Sequence, residues 1–318
     1  MKKFITLIFV SIIGIFLAGC VAETTSEATT EETTTEYIEP MSVMTPSGAP
    51  ALAQIFIQDS EHYNVDVVVG PDPLVAALAS GSHDFVFAPT NVGAKLYTAA
   101  GIDYQFLAAV TFGNYFLVSN QEDEFTISSL EGKEIIVFGQ NATSDIVLQY
   151  ILEENGVTAT LTYVDSVTTA SSTYIADDTK IILTAEPSLS ILEVTVPGFQ
   201  FIDLQDEYED ITGESSYPQA GVFGKTDLTS VQIERFLDDL EDSINLVNSN
   251  HDLAIEKAIE FEYGFTATVL EMAIPRCHLD YVSASDVKND LEAYFNLILA
   301  MNPTLLGGVL PNEDFYYN

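Results

Sequence analysis

The sequence predicts an α/β fold of two lobes, and two observations lead to it. Short apolar runs repeatedly end in a polar, Gly or Pro turn and pass into helical spacing, the pattern of strands feeding helices. The clearest is Phe85-Val86-Phe87-Ala88, apolar at every position as in a doubly covered strand, and broken by Pro89-Thr90-Asn91 before a helix. The series then restarts near residue 120, which divides the body into a first lobe of 41–119 plus 218–318 and a second of 120–217.

Ahead of the lobes, Lys2-Lys3 and the apolar run at 4–18 read as a secretory signal peptide over 1–19, because the run is short for a permanent span and ends in small residues. Leu17-Ala18-Gly19-Cys20 resembles the bacterial lipobox. That resemblance implies cleavage before Cys20 and lipid on its thiol, which would hold the protein at the extracytoplasmic face of the cell membrane. Residues 20–40 are almost all Thr, Glu, Ser and Ala and read as a disordered tether, about 70 Å long at full stretch.

In the first lobe, Ser42-Val43-Met44 is a strand and Thr45-Pro46-Ser47-Gly48-Ala49-Pro50 its turn, with Pro50 suited to a first helical turn and Gly48 free to take positive φ. Val65-Asp66-Val67-Val68-Val69 is a β-branched strand, followed by a helix at 74–79 that Ser80-Gly81 stops. The helix after Asn91 ends at Gly101, and apolar strands follow at 104–110 and 115–119.

In the second lobe, Glu134-Ile135-Ile136-Val137-Phe138 is a strand, and Gly139-Gln140-Asn141-Ala142-Thr143-Ser144 repeats the turn before a helix closed by Asn155-Gly156. Strands follow at 161–164 and 180–183, the latter meeting Thr184-Ala185-Glu186-Pro187, and then a strand at 201–204 and an acidic loop. Residues 215–224 read as the return crossing into the first lobe. Beyond it the chain is helical: Thr229 or Ser230 caps a helix with Ile233, Phe236, Leu237, Leu240, Ile244 and Val247 on one stripe, 252–263 forms another, and a last one starts at Ser285-Asp286. The tail at 302–311 has no period and is expected along the first lobe.

Acidic residues number 48 against 10 basic ones, a formal charge of −38. Nucleic acid and anionic lipid headgroups are poor partners for that surface, which reads as a solvated face suited to a salty or alkaline habitat. With Cys20 lipidated, Cys277 has no disulfide partner and reads as a structural thiol; its neighbour His278 does not make it a catalytic dyad. No phosphate loop, dinucleotide fingerprint or nucleophile elbow is present, and His62, His83, His251 and His278 lack metal-ligand spacing.

In sequence order, the lipobox, the tether, Pro46-Ser47-Gly48-Ala49-Pro50, Gly81-Ser82-His83-Asp84-Phe85, Pro89-Thr90-Asn91, Leu130-Glu131-Gly132-Lys133, Ala185-Glu186-Pro187 and Tyr217-Pro218-Gln219-Ala220 resemble solute-binding lipoproteins of ABC importers. The subgroup resembled holds the nitrate, sulfonate and taurine binders and the thiamine-pyrimidine-precursor proteins. The resemblance implies a type II periplasmic-binding-protein fold with a ligand cleft between lobes, a small-molecule solute, an ABC permease as partner and membrane attachment through Cys20. It also implies a monomer without metal, cofactor or catalytic residue.

By position, the resemblance places ligand contacts at Ser47, Gly48, Thr90 and Asn91 in the first lobe and at Gly113, Asn114 and Tyr115 in the first crossing. Gln140, Asn141, Thr143 and Glu186 follow in the second lobe, and Tyr217 in the second crossing. These turns hold no Arg or Lys, which departs from an oxyanion site and favours a neutral or cationic heteroaromatic metabolite, such as a vitamin precursor. In that reading Phe112, Tyr115 and Tyr217 flank a ring, Asn91, Gln140 and Asn141 read its edges, and Glu186 meets an amine. Two alternatives stay open: an enzyme on the same scaffold using Glu186 or His83, and a sulfonate- or nitrate-type anion binder.

Overall fold

The computed structural model describes residues 40–120, 124–214 and 217–318. The signal peptide, Cys20 and the tether through residue 39 lie outside them. The first lobe opens with β1 (Met41–Pro46), α1 (Ala49–Ala53), β2 (Tyr63–Val68), α2 (Asp72–Ser80), β3 (Phe85–Pro89), α3 (Thr90–Ala100) and β4 (Tyr104–Phe112). The chain then crosses to β5 (Tyr115–Ser119), β6 (Glu134–Phe138), α4 (Thr143–Glu154), β7 (Thr160–Val164), α5 (Val167–Ala176), β8 (Ile181–Ala185), α6 (Ser188–Thr195), β9 (Gln200–Asp203) and α7 (Leu204–Thr212). It returns as β10 (Pro218–Lys225), α8 (Ser230–Ser249), α9 (His251–Glu260), α10 (Ala267–Ala273), β11 (Leu279–Ser283) and α11 (Ala284–Met301).

Two mixed sheets result. One has six strands in the order β11-β4-β10-β3-β1-β2, the other five in the order β7-β6-β8-β5-β9. In the first, β1 pairs in parallel with β2 and β3, while β10 runs antiparallel between β3 and β4. The all-apolar run at 85–88 is buried throughout, as its central place between β1 and β10 requires. Because β1, β3, β6 and β8 end where α1, α3, α4 and α6 begin, the polar turns of both sheets gather at strand carboxyl ends.

Helices cover both faces of each sheet. On one face of the six-stranded sheet, α8 lays Ile233, Phe236, Leu240, Ile244 and Val247 inward, with Phe236 stacked on Phe85 at a centroid distance of 3.7 Å. A chain of this length can hold two lobes with separate cores, yet on the other face the apolar core is continuous with that of the second lobe. The physical reason is a column of tyrosines at the crossings: Tyr217 stacks on Tyr115 at 6.4 Å and on Tyr294 of α11 at 5.9 Å, and meets Tyr208 of α7 edge-on at 4.9 Å.

The segment after β9, expected as an acidic loop, is α7. Asp203 caps it by accepting from the Gln205 amide, Asp206 and Glu207 sit in the first turn where the helix dipole favours negative charge, and Gly213 ends it in the left-handed region. The tail lies along the first lobe as expected, with a short 3-10 turn at Pro303–Leu306 against α3 and Phe315 against Phe106.

Candidate functional site

Between the lobes lies a cavity of about 420 Å³, within the range of sites for small molecules. Its walls come from the turn after β1, the turn after β2, the first crossing, and the starts of α4, α5 and α6. Of the sequence candidates, Ser47, Gly48, Asn114, Tyr115 and Glu186 line it. Gly48 adopts φ +117, and a Cβ there would come 3.9 Å from the Glu186 carbonyl, so the lobes nearly meet at this lip. They also approach at Gly70, where a Cβ would lie 3.8 Å from the Asp165 carbonyl.

The other candidates are placed elsewhere. Thr90 Oγ1 donates to the Pro218 carbonyl at 2.8 Å, and Asn91 Nδ2 to the Asn141 carbonyl at 2.9 Å. Thr143 Oγ1 lies 3.3 Å from both Asn91 Oδ1 and the Gln219 carbonyl. Thr90, Asn91 and Thr143 are buried, and their side chains tie lobe to lobe and turn to crossing rather than lining the cavity. Gln140 is exposed and outside the lining, and Asn141, at φ 63, lines a separate hollow beside α11. Gly113 turns the first crossing at φ +43, where a Cβ would overlap Gln205 Oε1. Tyr217 is fully buried in the tyrosine column, so it supports Tyr115 from behind; Phe112 is half-buried and outside the lining.

Asn114 stands at the cavity wall in a reciprocal pair across the two crossings. Its backbone N–H donates to Gln219 Oε1 at 3.0 Å, and Gln219 Nε2 donates to Asn114 Oδ1 at 2.6 Å. Five polar residues of the lining, Asp165, Ser166, Thr168, Ser171 and Ser172, come from α5 and the turn before it and were missed from sequence. Asp165-Ser166 follows β7 in the same strand, polar turn and helix arrangement as the other sites, so the signal was present.

Glu186 is buried, and both its oxygens are engaged. Oε2 accepts from the Ser190 amide at 3.2 Å and Ser190 Oγ at 2.9 Å; Oε1 lies 2.6 Å from Arg276 Nε, an ion pair whose N–H does not point along the line of contact. Burial pushes the Glu186 carboxyl above its ordinary range, outweighing the lowering by Arg276 and by the Ser190 hydrogen bonds. For Arg276, burial opposes the charge, but the Glu193 hydrogen bond and the charges of Glu186 and Glu193 outweigh it and raise its pKa. The two directions are compatible, since the carboxylate is the more deeply buried partner and the guanidinium keeps its charge.

Three of the helix starts at this cavity already hold one of the protein's own carboxylates. Asp145 accepts from the Asn141 amide at 2.8 Å before α4, Glu186 accepts from the Ser190 amide in α6, and Asp165 accepts from Thr169 Oγ1 at 2.5 Å before α5. At these three starts the carboxylates oppose an oxyanion, and among the described residues no Lys or Arg lines the cavity. Tyr115 and Phe138, 6.0 Å apart edge to face, form an aromatic wall, and Tyr263 and Phe265 also reach the lining.

No family model and no curated protein matches the chain. Solved structures do: the chain has the periplasmic-binding-protein fold, two α/β lobes with a cleft between them. It is similar to an ABC transporter protein from Parabacteroides distasonis at 22% identity and a TM-score of 0.74, covering 88% of this chain and 99% of that one. It is similar to the alkanesulfonate-binding protein SsuA from Xanthomonas axonopodis pv. citri, bound to MOPS, at 17% identity and a TM-score of 0.65, covering 87% and 96%. It is also similar to a Candida albicans gene product with the generic periplasmic binding protein structural fold, at 15% identity and a TM-score of 0.56, covering 86% and 92%. At these identities the likeness is one of fold.

Proposed function

We propose that this chain is an extracytoplasmic solute-binding lipoprotein, attached through Cys20, that captures a small neutral or cationic organic solute by lobe closure and delivers it to an ABC permease. The observation that carries the ligand class is the electrostatics of the lining: its charged side chains are Asp165 and Glu186, and the starts of α4, α5 and α6 each carry a carboxylate. Glu186 is held by Ser190 and Arg276, so attraction of an amine falls to Asp165, which is exposed at the mouth. The aromatic wall suits a flat ring, which keeps a heteroaromatic metabolite such as a vitamin precursor as the favoured solute.

The anion reading has the similarity to SsuA in its support, and the lining stands against it. For the enzyme reading, Glu186 has both oxygens engaged, and His83 lies outside the lining with Nε2 3.1 Å from Asp66 Oδ2 and Nδ1 2.8 Å from Ser82 Oγ. Binding requires neither group to react.

Calorimetry of the full chain against vitamin precursors, amines, sulfonates and inorganic oxyanions tests the proposal. One amine-bearing or neutral heterocycle is expected to bind, with affinity reduced about tenfold by Tyr115→Ala or Asp165→Asn, a loss of about 1.4 kcal/mol. Tight binding of a sulfonate, or affinity indifferent to both substitutions, would overturn it.

A further inference from the structure

We infer that Arg276 is an interlobe clamp that holds the closed state without solute. Arg276 follows α10 in the first lobe, and α10 packs against α6 of the second. Its guanidinium forks over that helix: Nε lies 2.6 Å from Glu186 Oε1, Nη2 is 2.5 Å from Glu193 Oε2, and Nη2 donates to Ser190 Oγ at 2.9 Å. Ser190 Oγ in turn donates to Glu186 Oε2 at 2.9 Å, so one first-lobe cation joins two carboxylates and a hydroxyl of the second lobe into one network.

The placement of its members gives the clamp its effect. The Glu186 side chain has 0% exposure and belongs to the cavity wall, while Arg276 and Glu193 are 27% and 26% exposed at the outer side. Separating α10 from α6 would remove a cation from a carboxylate shielded from water, and a planar fork is poorly replaced by a single ammonium. Elsewhere between the lobes, Asn91 bonds to the Asn141 carbonyl, and Thr143 to Asn91 Oδ1 and the Gln219 carbonyl, all of them contacts between neutral groups. Arg276 thus supplies the charge-based contact of closure, and it is independent of which solute is carried.

The test uses the ligand-free, full-length chain carrying Cys20→Ser, with nitroxides at Asp72→Cys and Asp177→Cys, one in each lobe and both exposed, since buried Cys277 is closed to labelling. Electron–electron double resonance is expected to show a short-distance population that Arg276→Gln reduces at least about fivefold, with Arg276→Lys intermediate. Should Arg276→Gln fail to fold, Glu193→Gln and about 1 M salt on the unsubstituted clamp are each expected to shift the distribution towards long distances. A wild-type chain without a closed population, or distributions unchanged by any of these, would overturn the clamp. Finding no solute would overturn the transport role and leave this result untouched.

Discussion

At the scale of single residues, the two crossings depend on one amide pair. Asn114 and Gln219 satisfy each other at a buried position on the cavity wall. Gln219→Ala leaves the Asn114 amide N–H and Oδ1 unpaired, and a cost of about 1–3 kcal/mol is expected, read as a lowered midpoint in urea. An unchanged midpoint would mean that the crossings are held by the tyrosine column alone. Arg276 shows the limit of local reading. Ser188–Thr195 and residue 276 are far apart in the chain, and nothing near either signals the contact that Nη2 makes with Glu193.

At the scale of elements, legibility followed the apolar period. Helix α8 was readable because Ile233, Phe236, Leu237, Leu240, Ile244 and Val247 form one stripe behind a Thr229 cap, and all but the half-buried Leu237 are buried. Helix α7 was not, because its carboxylates at Asp206, Glu207, Glu209 and Asp210 masked the two inward apolar residues, Leu204 and Tyr208, which are buried together with Gln205. The turns after β1, β3 and β8 were legible as turns, yet only some face the cavity: Ser47 and Glu186 do, whereas Thr90 is consumed by a hydrogen bond to the returning crossing and Asn91 by one to the second lobe. Periodicity places a residue at a strand's end but says nothing of which groups will cross the gap to meet it. The α8 stripe also carries a prediction. Phe236 contacts Phe85, Tyr63 and Phe87, so Phe236→Ala should cost about 3–5 kcal/mol, with α8 and β3 amides losing protection in hydrogen exchange. Loss of under about 1 kcal/mol would mean that α8 is held from elsewhere.

At the scale of the whole molecule, charge decides how stability responds to solution conditions. The chain carries 48 acidic residues against 10 basic ones, so self-repulsion favours the unfolded state at neutral pH. Burial raises the pKa values of Glu186, Asp203 and Glu207 above the ordinary carboxylate range. A carboxyl with a folded pKa above its unfolded value is protonated more readily when folded. Its contribution to stability is therefore full below the unfolded value and is lost as pH rises through the folded value. Asp177 shifts downward through its Thr179 hydrogen bonds, but it is fully exposed and solvent blunts its effect. Repulsion and these three carboxyls thus act in the same direction. The melting temperature of the full chain is expected to rise as pH falls from about 8 towards the upper edge of the carboxylate range, and to rise with salt at pH 8 as repulsion is screened within a Debye length of about 10 Å or less. Salt weakens the Arg276 contact while stabilising the chain, so closure and melting should respond to it with opposite signs. A melting temperature that rises with pH over this window, or falls on adding salt at pH 8, would show that ion pairs such as Arg276–Glu186 and Lys257–Asp59 outweigh the net charge.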